Sequence, residues 1–100
     1  MNTPMAMLPF DTDKLIEICR QNDVSKVSVF GSVARGEAGD QSDIDLLVEF
    51  SKRKSLLALV ALERQLSTAL GKKVDLLTEA AISPYLRDQI KRDQRVLYEA

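Results

Sequence analysis

The chain has 100 residues, 45% apolar and 29% charged, with a formal net charge of -1 and one cysteine, Cys19; this describes a single small domain with no disulfide and no cationic field for nucleic acid. Histidine is absent altogether, which excludes Ser-His and Cys-His nucleophile schemes and histidine-ligated metals, so any metal must be a hard cation on oxygen ligands. No stretch approaches the ~18 apolar residues of a membrane span, and the N-terminus lacks a signal-peptide pattern, so a cytoplasmic protein with no membrane partner is expected.

Residues 1–10 read as a flexible N-terminus. Asp11 or Thr12 can cap a first helix running to about Asn22, with Leu15, Ile18 and Cys19 on one face. A short strand is expected over residues 26–30, then a polar, glycine-containing segment over 31–42. Residues 43–50 form the strongest strand pattern, with Ile44, Leu46, Val48 and Phe50 on one face and Asp43, Asp45, Leu47 and Glu49 on the other. Ser55 can cap a helix reaching Leu70, whose Leu59, Leu62, Leu66 and Leu70 recur at helical spacing, and Gly71 suits the left-handed turn that ends it. A strand at 73–77 follows, Pro84 suits the first turn of a final helix through about Asp93, and 96–98 is a short terminal strand or docked tail. The expected fold class is α+β: a two-layer α/β sandwich with helices on one face of a small mixed sheet and the carboxylates pointing out of the other.

The chemistry concentrates in Val29-Phe30-Gly31-Ser32-Val33-Ala34-Arg35-Gly36 and in Ser42-Asp43-Ile44-Asp45-Leu46-Leu47-Val48. A glycine at the end of a strand lets backbone approach phosphate, and a helix start offers unpaired N–H groups. Arg35 adds a permanent cation with a fork suited to phosphate oxygens. Asp43 and Asp45, two apart on a strand, place their Cα atoms about 6.5–7 Å apart on one face, within reach of a shared divalent cation. Asp75 recurs in Lys73-Val74-Asp75-Leu76-Leu77. Each element has a plainer alternative: solvated acids at a strand end for Asp43 and Asp45, ordinary turn chemistry for Gly31 and Ser32, and a simple ion pair of Asp75 with Lys73. Their joint arrangement points to nucleotidyl transfer.

Gly31-Ser32, ten intervening residues and Asp43-Ile44-Asp45 resemble the signature of the DNA polymerase beta-like nucleotidyltransferase superfamily. The string GSVARGEAGDQSDIDLLVEF is similar to the minimal nucleotidyltransferase (MNT) family, and the resemblance runs from about Val27 to the C-terminus. It implies that Asp43 and Asp45 bind two Mg2+ ions, that Asp75 completes the metal site and helps deprotonate the attacking hydroxyl, and that Gly31, Ser32 and Arg35 contact the triphosphate of ATP.

Members of this length resemble the antitoxin of HEPN/MNT toxin–antitoxin pairs, which implies transfer of AMP from ATP to a tyrosine of a HEPN ribonuclease toxin and a hetero-oligomer with that toxin. Two other functions remain open: a binding-only antitoxin that blocks its toxin without catalysis, and a nucleotidyltransferase acting on a small molecule. The partner is expected on the carboxylate face, rimmed by Lys52, Arg53 and the 36–41 loop. Tyr85 and Tyr98 lie away from the motif in sequence and are not expected to be the acceptor.

Overall fold

The computed structural model describes residues 10–34, 36 and 43–100; the N-terminal segment and most of the 36–41 loop read from the sequence lie outside these. The elements run α1 (Thr12–Gln21), β1 (Val24–Phe30), α2 (Gly31–Ala34), β2 (Ile44–Phe50), α3 (Leu56–Leu70), β3 (Val74–Thr78), a 3-10 turn (Glu79–Ala81), α4 (Pro84–Asp93) and β4 (Arg95–Glu99). No helix among the described residues is long and apolar enough to cross a membrane.

Local signals start and stop the helices. Asp11 caps α1, its carboxylate accepting from the Lys14 N–H at 3.1 Å, and Ser55 caps α3, its Oγ accepting from the Ala58 N–H at 3.1 Å. Gly71 ends α3 at φ 69 in the left-handed region, donating its N–H to the Ser67 carbonyl. Pro84 opens α4, where its missing N–H costs nothing, and Ser83 caps it. Between α1 and β1 the chain turns at Asp23, a non-glycine residue at φ 65, whose carboxylate accepts from Lys54 Nζ at 2.7 Å.

The four strands form one mixed sheet in the order β3-β2-β1-β4. β1 pairs antiparallel with β2 and β4, whereas β2 and β3 are parallel, and α3 supplies the crossover that parallel neighbours require. The edge strand β3 is closed by two side chains of α3: Ser67 Oγ accepts from the Val74 N–H at 3.0 Å and Glu63 Oε2 from the Leu76 N–H at 2.9 Å. These bonds satisfy outward-facing groups that would otherwise be open to strand addition.

The main core lies between the sheet and α1 with α3, where Leu15, Ile18 and Cys19 meet Val27, Val29, Ile44, Leu46, Val48, Leu62, Leu66 and Val74. Burial pushes the Cys19 thiol up to about 12, so it serves as a small apolar residue rather than a nucleophile. A second, smaller core lies on the opposite face, where Phe30 and Leu47 pack with Ile82 and with Ile90 of α4. The final helix thus departs from the expected one-sided layering. Strand alternation puts Phe30 and Leu47 on the same face as Asp45, and their apolar side chains need a cover.

Candidate active site

Asp45 and Asp75 are register partners on the parallel pair β2 and β3, so their side chains stand side by side on one face, a strand spacing of about 4.8 Å apart at the backbone. Both are half-buried. Burial, followed by the charges of Asp75 and then Asp43, holds the Asp45 carboxyl above the usual carboxylate range. The acidic groups therefore repel one another at a half-buried site.

Asp43 precedes β2 and is exposed, with Lys73 Nζ at 3.9 Å from its Oδ2. The sequence allowed Lys73 to neutralise Asp75; the ion pair it makes is with Asp43 instead. Among the described residues no group of three acidic, histidine or cysteine side chains stands together as a metal cage; the charge of Asp43 nonetheless reaches Asp45.

On the other side of Asp45 lies the turn that ends β1. Phe30 is the antiparallel register partner of Asp45, and the next residue, Gly31, has φ 78. A Cβ added to Gly31 would come within 2.6 Å of Asp45 Oδ2. The backbone conformation favours glycine here, and any side chain at this position would displace the Asp45 carboxylate. The motif glycine and the second motif aspartate are in direct apposition, which their separation of fourteen positions in the chain (45 minus 31) does not reveal. Ser32 follows in α2; its side chain and the whole of Arg35 lie outside the described residues.

Two features differ from the sequence reading or were missed by it. Lys52 does not rim the carboxylates: it lies beyond the far end of β2, with its Nζ 3.9 Å from Asp23 Oδ1, while five residue steps separate Phe50 from Asp45, about 17 Å along the strand. Arg53 follows it. The missed feature is a cavity of about 180 Å³ lined by Phe30, Gly31, Leu86, Gln89, Ile90 and Asp93. The α4 residues among these recur at helical spacing, which reads in sequence only as one amphipathic face.

The nucleotidyltransferase domain model matches residues 12–97. The chain is 51% identical over 77 residues to a protein adenylyltransferase of Methanocaldococcus jannaschii, spanning 77% of this chain and 83% of that one. In three dimensions it is similar, with a TM-score of 0.79 and 27% identity, to a chain of a toxin–antitoxin complex crystallised with AMP-PNP, covering 90% of this chain and 74% of that one. It is also similar, with a TM-score of 0.70 and 25% identity, to a chain of a complex between tri-AMPylated Shewanella oneidensis HEPN toxin and MNT antitoxin, covering 89% and 70%. With its glycine turn set against one of two in-register carboxylates, and with 86 of its 100 residues (97 minus 12, plus 1) inside the family model, the chain belongs to the nucleotidyltransferase domain family.

Proposed function

We propose that this protein is the antitoxin of a toxin–antitoxin pair and that it transfers AMP from ATP to a tyrosine of a HEPN ribonuclease toxin, neutralising it. The observation that carries the reading is the in-register pair Asp45 and Asp75 with Gly31 directly against Asp45. It gains support from the likeness to an adenylyltransferase and to complexes that contain AMP-PNP or an AMPylated toxin.

The donor set fits two Mg2+ ions: it is made of carboxylate oxygens, and the crowding that raises the Asp45 pKa is what a hard cation would relieve. Asp43 and Asp45 would hold both ions and Asp75 would complete the set. The 3.9 Å contact of Asp43 with Lys73 joins two largely exposed groups and is weak enough to yield. When bound, the ions stabilise charge on the phosphoryl oxygens and lower the pKa of the acceptor hydroxyl.

Asp75 takes the acceptor side and receives the tyrosine proton. The tyrosine oxygen then attacks the α-phosphorus in line, and the bond to the bridging oxygen of the β-phosphate breaks. The products are tyrosyl-AMP and pyrophosphate. Charge on the triphosphate is met by the Gly31 turn, Ser32 and Arg35.

Incubation with ATP, Mg2+ and the cognate HEPN protein tests this. The partner should gain multiples of the AMP mass at a tyrosine, and its ribonuclease should fall silent. A partner that is inhibited in complex yet unmodified would replace the reading with a binding-only antitoxin, and transfer to a small molecule in place of the partner would replace it with the third alternative.

A further inference from the structure

A cationic group of the chain itself already stands at the carboxylates that would hold divalent metal. Lys73 comes one step before Val74, the register partner of Ile44, which places it level with Asp43. Its carbonyl accepts from the Ile44 N–H at 2.9 Å, so the backbone that carries it is tied to the start of β2 whatever side chain it bears. Its Nζ lies 3.9 Å from Asp43 Oδ2. Among the described residues this is the only ion pair that Asp43, Asp45 or Asp75 makes.

Asp43 thus stands between two demands. Lys73 holds it on one side, and on the other its negative charge reaches Asp45, whose carboxyl is already crowded by burial and by Asp75. An ammonium and a divalent cation repel each other when they share one carboxylate, so the Lys73 contact opposes metal at Asp43. Unit charges about 4 Å apart in water-like surroundings amount to about fivefold in an equilibrium. With Lys73 70% and Asp43 45% exposed, the effect stays on that scale. The ammonium that yields does not leave, because its backbone is fixed. The charge of the triphosphate offsets that of two divalent ions, so the carboxylates keep the loaded site anionic. Lys73 remains well inside the ~8 Å Debye length and favours that loaded state.

We propose that Lys73 is a resident counter-ion of the metal site: it holds Asp43 while no metal is present, yields when metal enters, and then supports the bound nucleotide, so that metal and nucleotide are taken up together. The proposal rests on the two-metal transfer reading and adds to it the residue that links the two ligands.

The test uses the intact protein and Mn2+, which suits the same oxygen ligands as Mg2+. Binding of Mn2+ alone is followed by electron paramagnetic resonance. Binding of the α,β-methylene analogue of ATP, whose bridging carbon cannot leave, is followed by calorimetry at saturating Mn2+. Lys73 is exposed and its backbone bond survives substitution, so Lys73→Gln and Lys73→Arg should keep the fold. Lys73→Gln should bind Mn2+ about threefold to fivefold more tightly than wild type and the analogue at least about threefold more weakly, both differences shrinking at about 1 M salt. Lys73→Arg keeps the charge and should stay within about twofold of wild type in both. Mn2+ affinity in Lys73→Gln equal to or below that of wild type, analogue affinity that does not fall, or an arginine variant that behaves like the glutamine one would each overturn the proposal while leaving the transfer reading standing. Failure of Asp45→Asn to weaken Mn2+ binding would remove the metal site itself, and the proposal with it.

Discussion

Replacing Gly31 with alanine separates two demands that the site makes on one residue. The first is conformational: φ 78 puts an alanine Cβ against its own backbone, at a cost of about 1–2 kcal/mol. For a domain of this size that corresponds to a fall in Tm of roughly 4–16 °C. The second demand is spatial. The new Cβ would sit 2.6 Å from Asp45 Oδ2, and since that atom is the end of a side chain, the carboxylate rather than the backbone should move, adding about 0.5–1.5 kcal/mol of rotamer strain. A displaced carboxylate should cost transfer about 100-fold. Urea unfolding of wild type, Gly31→Ala, Asp45→Ala and the double variant checks the partition: Gly31→Ala should be less costly in the Asp45→Ala background by the contact portion alone. Equal destabilisation in both backgrounds would refute the contact, and no destabilisation in either would refute the backbone argument as well.

Ser55→Ala should lose about 1 kcal/mol of stability with the α3 cap, read as a drop in Tm. Ser28 is a buried residue of β1 whose Oγ has no hydrogen-bond partner among the described residues; Ser28→Ala removes an unsatisfied hydroxyl and should be neutral or stabilising by about 1 kcal/mol, so a marked loss in denaturant titration would reveal a partner. The Lys54 hydrogen bond, aided by Lys52, holds the Asp23 carboxyl below the usual carboxylate range. Its folded pKa being the lower one, this contribution is present above the unfolded carboxylate pKa and is lost as pH falls through the folded value. Asp23→Asn, which tolerates the same left-handed turn, should therefore be less stable than wild type at neutral pH and converge with it in acid; a gap independent of pH would contradict the assignment.

The parts of the fold that were legible from sequence are those set by neighbours a few residues apart. Asp11, Ser55, Gly71 and Pro84 act within one helical turn, and the apolar alternation of 44–50 needs only the strand itself, so the helices and strands fall where these residues place them. Pairing between distant segments was not legible. In sequence Lys73 was matched only with Asp75, two positions on, but the parallel register that sets Asp75 beside Asp45 leaves Asp43 within its reach instead. Likewise Glu63 and Ser67 read as polar positions of a helix surface, because their role as partners of the β3 edge exists only once α3 lies along that edge. The placement of α4 follows from Phe30 and Leu47, whose positions on the carboxylate face require apolar cover. That cover creates the cavity beside Gly31, which no short-range pattern in 84–93 announces.

The central claim is that the paired carboxylates perform transfer to a protein acceptor, and the most direct measurement compares wild type with Asp45→Asn and Asp75→Asn, each incubated with ATP, Mg2+ and the cognate HEPN protein. Intact mass and ribonuclease activity of the partner are followed together. The wild type should add AMP and silence the ribonuclease, while each variant, folded by circular dichroism, should transfer at least about 100-fold more slowly and leave the ribonuclease active over the same interval. Full neutralisation by either variant, with no mass added to the partner, would contradict the account.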